Sequence, residues 1–153
     1  ITFRDRILNV SLLLSEDELA PLFDGAAWAG TQLWDAAIQG VDYVSDKYSA
    51  LMQAPGCRLI ELGCGTGVPG MCCRIMGAEV LLTEQNQLVA LLNQNIRNNF
   101  AGDDAIQAKT LSWERARSRE LAGENGGGFH VILSCDCVFA PLYGRSYLPL
   151  AES

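Results

Sequence analysis

The sequence predicts an α/β fold with a doubly wound, mainly parallel sheet. Short apolar runs that suit buried parallel strands recur along the chain, at about 57–62, 79–83, 105–111 and 129–135. Segments with apolar residues at helical spacing alternate with them, at about 68–76, 86–99 and 113–121. A glycine-rich turn joins the first of these strands to the first of these helices. Such alternation implies parallel strands with right-handed crossovers.

The composition fits a single globular domain. The chain has 153 residues, of which 49% are hydrophobic and 19% charged, enough for one sizeable core. No apolar run reaches membrane-spanning length, and no secretory signal is visible. The formal net charge of −7 repels a phosphate backbone and suits a basic partner. We therefore expect neither a nucleic-acid nor a membrane partner.

The six cysteines have no paired CxxC spacing of the kind that zinc sites use. Buried, reduced thiols are the better interpretation, so we expect a cytoplasmic or nuclear protein without a bound metal.

The N-terminal part is predicted as an extension over 1–32, before a core over 33–153. Residues 3–14 alternate partly as a strand, a second strand is expected near 19–23, and 25–30 is expected to be a loop. An amphipathic helix begins at Trp34, with Thr31 near its start and Pro55-Gly56 at its end. One face of this helix carries apolar side chains: Trp34, Ala37, Ile38, Val41, Val44, Tyr48 and Leu51. Another helix is expected at 145–152.

The glycine turn lies within LIELGCGTGVPG, residues 59–70. Its glycines follow GxGxG spacing, whereas the dinucleotide fingerprint GxGxxG would need a glycine where Val68 stands. No Lys-Ser or Lys-Thr follows, which excludes a P-loop. Glu61 ends the strand just before the turn, and a carboxylate suits an amino group better than a pyrophosphate.

Ligands of open α/β sheets bind beyond the carboxyl ends of the strands, so candidate residues should lie there. The residues at these ends are Glu61, Gly63, Cys64 and Gly65; Glu84 and Gln85; Ser112 and Trp113; and Cys135 and Asp136. The Glu84 carboxylate could accept two hydrogen bonds from the vicinal hydroxyls of a ribose, or be a solvated acid at a helix start. Trp113 could lie against an adenine and Ser112 at its amino edge, or Trp113 could simply pack in the core.

The motif ELGCGTG at 61–67 resembles the first motif of the class I, seven-strand S-adenosylmethionine-dependent methyltransferases. The resemblance covers about 25–150 and implies a Rossmann-like fold that binds S-adenosylmethionine and releases S-adenosylhomocysteine. It implies cofactor contacts from Trp34, Glu61, Gly63, Cys64, Gly65, Glu84, Gln85, Ser112, Trp113 and Cys135. In that family three more strands follow the fourth, so we expect 1–153 to be one domain whose C-terminal strands are missing.

Two further segments resemble the cytosolic protein-lysine methyltransferases that modify non-histone proteins. Trp34-Asp35-Ala36-Ala37 is similar to the segment before their core, where the Trp borders the methionine part of the cofactor. Asp136-Cys137-Val138-Phe139 is similar to their Asp-x-x-Tyr/Phe motif, which implies catalytic roles for Asp136 and Phe139: the carboxylate holds the incoming ammonium and the ring offers a π face. Alternatively, Asp136 is a helix N-cap.

We expect a protein-lysine N-methyltransferase acting on a non-histone protein with a basic region. Asn/Asp-Pro-Pro-Tyr/Phe, typical of methyltransferases that modify nucleobase amino groups, is absent around 134–137. A small-molecule methyltransferase and a non-catalytic module that binds S-adenosylmethionine remain alternatives, while an NAD-dependent oxidoreductase is disfavoured by the GxGxG spacing and Glu61. His130 lies at the start of the fourth predicted strand, at the end away from the site, and is expected to be structural.

Overall fold

The computed structural model describes residues 1–12, 17, 20–22, 24–113, 115–124, 126 and 128–137. A small antiparallel hairpin, β1 (Thr2–Phe3) and β2 (Arg6–Ile7), precedes the main sheet. That sheet has four strands, β3 (Arg58–Leu62), β4 (Glu79–Glu84), β5 (Ile106–Thr110) and β6 (Val131–Leu133), in the order β5-β4-β3-β6. Every neighbouring pair is parallel, so all four carboxyl ends lie at one edge. The predicted parallel α/β fold is confirmed.

In the part of the chain that the structure describes, four α-helices cover the two faces of the sheet: α1 (Asp35–Met52), α2 (Val68–Met76), α3 (Val89–Phe100) and α4 (Arg115–Glu124). Strand residues alternate between the faces. Leu59 and Leu82 pack with apolar residues of α1, α2 and α3 in one buried cluster, whereas Ile60 and Leu81 pack with Leu121 of α4 in another. The sheet is therefore doubly wound, with three of these helices on one face and α4 on the other.

The boundaries of α2 agree with the prediction. Gly77 ends this helix with a φ of 128°, and its N–H donates to the carbonyls of Cys73 and Arg74 at 3.1 and 3.0 Å. The other core elements lie within a few residues of their predicted ranges, and a short 3₁₀ turn, Asn86–Leu88, precedes α3.

The prediction for the N-terminal part was wrong in two places. Only β1 and β2 are strands within 3–14 as far as the structure describes them. A 3₁₀ helix, Ala20–Leu22, stands where the second strand was expected, and another, Asp24–Thr31, replaces the expected loop. A 3₁₀ helix satisfies its own backbone groups without a neighbouring strand. It also lets Leu22 and Ala27 bury their side chains against Leu88.

The start of α1 also differs from its prediction. The helix begins at Asp35 and ends at Met52, before Pro55-Gly56. The Thr31 hydroxyl donates to the Trp28 carbonyl at 2.8 Å, so it closes the preceding 3₁₀ turn and does not cap α1. Of the predicted apolar face, Val41 and Val44 are buried and pack on the core; the side chains of Trp34, Ile38, Tyr48 and Leu51 are exposed.

The expected helix at 145–152 lies outside the described residues. Within the described ranges, no helix is both long enough and apolar enough to cross a membrane.

Candidate active site

A cavity of about 630 Å³ opens at the carboxyl ends of the four parallel strands. Its walls come from the glycine turn after β3, from the residues that follow β4, β5 and β6, and from the segment before α1. The predicted cofactor residues all line it: Trp34, Glu61, Gly63, Cys64, Gly65, Glu84, Gln85, Ser112, Trp113 and Cys135. Asp136 lines it too, whereas Phe139 lies outside the described residues. The fold thus brings together residues that follow four separate strands, as expected from the rule that ligands bind beyond the carboxyl ends of parallel strands.

The glycine turn needs glycine for its backbone angles and for its close contacts. Gly63, Gly65 and Gly67 have φ values of 58°, 53° and 80°, in the left-handed region that other residues rarely adopt. A Cβ on Gly65 would lie 3.1 Å from the Gly30 carbonyl oxygen, and one on Gly63 would lie 2.8 Å from the Cys137 sulfur. Gly63 and Gly65 also line the cavity, so the turn presents bare backbone to it.

Glu61 places a nearly solvent-free carboxylate on the cavity wall. Only 1% of this residue is exposed, and its Oε2 accepts a hydrogen bond from the Gly70 N–H at 2.7 Å, in the first turn of α2. Burial raises the pKa of Glu61 to about 8, opposed by the Gly70 hydrogen bond and assisted by the charge of Glu84. A cationic group entering the cavity would favour the ionised form of this carboxyl.

Glu84 uses both carboxylate oxygens to hold backbone. Its Oε2 accepts the Gly65 N–H at 2.9 Å, and its Oε1 accepts the Gln85 N–H at 2.8 Å. Burial raises the pKa of Glu84, while these two hydrogen bonds oppose the rise. Because the residue is 8% exposed, the alternative of a solvated acid is wrong. Each carboxylate oxygen has a second lone pair, so a diol could still bind there.

Trp113 packs in the core and also lines the cavity. It packs against the apolar cluster of Ile60, Leu62 and Leu81. Its ring also borders the cavity, since its Cζ2 would lie 3.0 Å from a Cβ on Gly63. Ser112 lies beside it and is exposed.

Trp34 is held at the cavity edge by its indole nitrogen. Nε1 donates to the Ala29 carbonyl at 2.7 Å, and 46% of the residue is exposed. It is therefore not the core aromatic that its helical spacing alone would favour. Its partner belongs to the 3₁₀ helix Asp24–Thr31, which supplies a wall that the sequence analysis missed.

That wall includes Trp28, Ala29 and Gly30. A Cβ on Gly30 would lie 2.5 Å from the Leu88 side chain and 3.4 Å from the Gly65 Cα, so this segment lies directly on the glycine turn. The sequence did offer a signal for this wall, because Trp28 and Gly30 both lie in the segment that was predicted to be a loop.

The loop after β6 carries Asp136 with a φ of 56°. A helix N-cap normally has extended backbone, so this conformation disfavours the N-cap interpretation. The next residue, Cys137, was also missed as part of the cavity wall. Its thiol donates to the Leu62 carbonyl at 3.1 Å, which ties this loop to the end of β3.

The cysteines are all free thiols, and Cys57, Cys64, Cys72 and Cys73 are buried. Burial raises the pKa values of Cys135 and Cys137 to about 11, so both thiols are protonated at neutral pH. Across the described ranges, no three His, Cys, Asp or Glu side chains are grouped to hold a metal ion. His130 is structural as expected: its Nδ1 accepts the Arg58 N–H at 3.0 Å, at the amino end of β6.

Comparison with known proteins gives the same family as the motifs. Residues 14–148 match the sequence model of a family described as lysine methyltransferase. The chain is 38% identical over 103 residues to secreted RxLR effector protein 48 of Plasmopara viticola, covering 61% of this chain and 52% of that protein. It is 29% identical over 107 residues to protein N-lysine methyltransferase METTL21A of Mus musculus, and the match covers 70% of this chain and 47% of that protein.

A third relative is the histidine protein methyltransferase 1 homolog of Dictyostelium discoideum, 29% identical over 129 residues, covering 83% of this chain and 38% of that protein. The chain spans about half the length, or less, of these curated relatives. The family match extends over most of the chain, from before the first 3₁₀ helix to beyond β6. This protein therefore belongs to the lysine methyltransferase family.

Proposed function

We propose that the protein is an S-adenosylmethionine-dependent protein-lysine N-methyltransferase that acts on a non-histone protein with a basic region. The observation that carries the proposal is the cavity at the carboxyl ends of the sheet, where a bare glycine turn meets two buried carboxyls, Glu61 and Glu84. Membership of the family and the similarity to METTL21A support a lysine as the acceptor.

The residues present fit S-adenosylmethionine. A volume of about 630 Å³ is within the roughly 300–1,000 Å³ of small-molecule sites. Gly63 and Gly65 line the cavity and have no side chains, so this turn suits a ligand that lies against backbone. Nearby, two buried carboxyls offer acceptors for a cationic amino group and for hydroxyls.

Each wall would hold a different part of the cofactor. Glu61 and the turn Gly63-Cys64-Gly65, with Trp34 and Cys135 beside them, would surround its amino-acid part. Glu84 and Gln85 would face its ribose, and Ser112 and Trp113 its adenine. When bound, S-adenosylmethionine supplies an electrophilic methyl group on a sulfonium, so little acid or base chemistry is required of the protein.

The task left for the protein is to orient a neutral amine. Asp136 is exposed on the wall after β6, where its carboxylate would accept a hydrogen bond from the arriving lysine ammonium. The ammonium would release one proton to bulk water before its nitrogen attacks the methyl group. The net charge of −7 would favour approach of a basic segment of the substrate. We also propose a cytoplasmic or nuclear location, which the six free thiols support.

The test is methylation by the purified full-length protein, with radiolabelled S-adenosylmethionine and a cell lysate. We expect label in at least one protein band that protease removes and nuclease leaves, with methyl-lysine after acid hydrolysis. An Asp136→Asn variant is the matched control for background labelling.

The other outcomes separate the alternatives. Methyl-histidine in the labelled band would replace lysine by histidine as the acceptor, an activity named in the Dictyostelium relative. Label confined to small molecules would favour a small-molecule methyltransferase. Cofactor binding without any labelled product would favour a non-catalytic module.

A further inference from the structure

Two asparagines of α3 hold the chain that follows the N-terminal hairpin. The Asn99 side chain accepts the Asn9 N–H at 2.7 Å and donates to the Asn9 carbonyl at 3.0 Å. One helical turn earlier, Asn95 accepts the Ser11 N–H at 2.7 Å and donates to the Ser11 carbonyl at 3.3 Å. Side chains four apart on a helix thus bind backbone two apart on a neighbouring segment, as a strand partner would.

Asn95 has a further partner that distinguishes it from Asn99. Its Nδ2 also donates to the Thr66 carbonyl at 3.1 Å, and the residue is completely buried. The Asn99 Nδ2 instead donates within α3, to the Asn95 carbonyl at 2.7 Å. One buried carboxamide therefore links the N-terminal segment directly to the glycine turn.

Thr66 is the place where the turn benefits from an outside anchor. It lies between Gly65 and Gly67, whose φ values are 53° and 80°. Glycine gives a free turn more backbone conformations than other residues, so its bound shape costs more entropy to fix. Thr66 itself is buried and lines the cavity, and the Gly65 N–H already binds Glu84.

We propose that Asn95 is a positioning residue for the cofactor turn, and that it makes cofactor affinity depend on the N-terminal segment. This inference rests on the proposed function, since it takes the turn to be where S-adenosylmethionine binds. With the Thr66 carbonyl held, the turn keeps the shape in which Gly65 and its neighbours face the cavity. Loss of that anchor costs binding, because the ligand must then order the turn itself.

The experiment compares Asn95→Asp with Asn99→Asp in the full-length protein, using S-adenosylhomocysteine as the probe. Aspartate keeps the shape and the acceptor oxygen of asparagine but loses the N–H donors. Both variants lose a donor to the N-terminal segment, so both should lower the melting temperature. Calorimetry well below both melting temperatures should show about tenfold weaker binding for Asn95→Asp and less than about twofold change for Asn99→Asp.

A second pair tests the same link from the segment. Ser11→Pro removes the N–H that Asn95 accepts, and Asn9→Pro removes the N–H that Asn99 accepts. We expect weaker S-adenosylhomocysteine binding for Ser11→Pro than for Asn9→Pro. This pair decides the question if Asn95→Asp does not fold.

Equal affinities within either folded pair would overturn the inference, because Asn95 would then act on stability alone. That result leaves the proposed function standing as long as the wild type binds S-adenosylhomocysteine. A wild type that does not bind the probe overturns the proposed function, and this inference with it.

Discussion

The Glu84 carboxylate accepts a hydrogen bond from the Gly65 N–H at 2.9 Å, so the end of β4 holds the glycine turn that follows β3. The contact is almost free of solvent, since Glu84 is 8% exposed. It gives this carboxylate two tasks, which are to shape the turn and to present its remaining lone pairs to the cavity.

Glu84→Ala should therefore weaken binding of S-adenosylmethionine by about 1.5–3 kcal/mol, the range for hydrogen bonds to a charged group. Isothermal titration calorimetry measures this directly. Glu79→Ala is the matched control, because Glu79 is an exposed glutamate at the opposite end of the same strand. Unchanged affinity in Glu84→Ala would remove this carboxylate from the binding site.

The GxGxG turn beside Glu61 should select S-adenosylhomocysteine over NAD. A ligand that binds only the folded protein stabilises it by mass action, by about 2.7 kcal/mol at one hundred times its Kd. We expect S-adenosylhomocysteine to raise the melting temperature and NAD to leave it unchanged, as followed by differential scanning fluorimetry. A rise with NAD alone would contradict the assignment of the cofactor.

Asp136→Asn should separate catalysis from cofactor binding. Asparagine tolerates the φ of 56° at this position better than alanine, so the variant removes charge with little backbone strain. We expect kcat/KM for a protein substrate to fall about tenfold or more, with a much smaller change in cofactor affinity. Asp104→Asn, at an exposed aspartate just before β5, controls for loss of surface charge. Wild-type turnover in Asp136→Asn would exclude this carboxylate from the mechanism.

The core of the fold could be predicted because its signals are local. β3, the glycine turn, α2 and Gly77 are adjacent in sequence, and each has its own pattern of apolar or glycine residues. The strand-end rule then placed Glu84 and Trp113 at the same edge without any knowledge of contacts.

The N-terminal part could not be predicted in this way because its partners are distant. Asn9 and Ser11 are held by Asn99 and Asn95, more than eighty positions along the chain. The alternation of apolar and polar residues cannot show which partner binds the backbone N–H and carbonyl groups of this segment. Here the partners are side-chain amides and not a neighbouring strand. The wall at Trp28 was missed for the same reason, since the contact that defines it joins Gly30 to the glycine turn.

Gly70→Ala and Gly123→Ala should change stability in opposite directions. A Cβ on Gly70 would lie 2.3 Å from the Leu82 side chain and 2.6 Å from the Glu61 carboxylate, both in packed surroundings. Such overpacking costs about 1–3 kcal/mol of unfolding free energy. Gly123 lies in α4 with nothing within 4 Å of its Cβ position, so alanine there should add about 0.5–1 kcal/mol. Urea unfolding of both variants checks the contrast, and equal shifts would contradict it.

The buried Glu61 carboxyl should make the protein less stable as the pH rises. Burial raises its pKa from an ordinary 4.5 to about 8, so between these values the folded protein keeps a proton that the unfolded chain has released. Stability is therefore highest near the lower end of this range and falls through it, by up to about 1.4 kcal/mol per pH unit from this group, and then levels off. Burial of Glu84 adds a slope of the same sign.

Glu61→Gln keeps the shape of the side chain and removes its titration. We expect the variant to lose much of the fall in unfolding free energy between about pH 5 and 8, measured by urea unfolding at half-unit steps. Glu79→Gln, at an exposed position, is the control for replacing a glutamate by glutamine. The prediction fails if the unfolding free energies of the wild type and of Glu61→Gln fall in parallel between about pH 5 and 8. The Glu61 carboxyl of the folded protein would then be ionised over the whole range, even without a cation in the cavity.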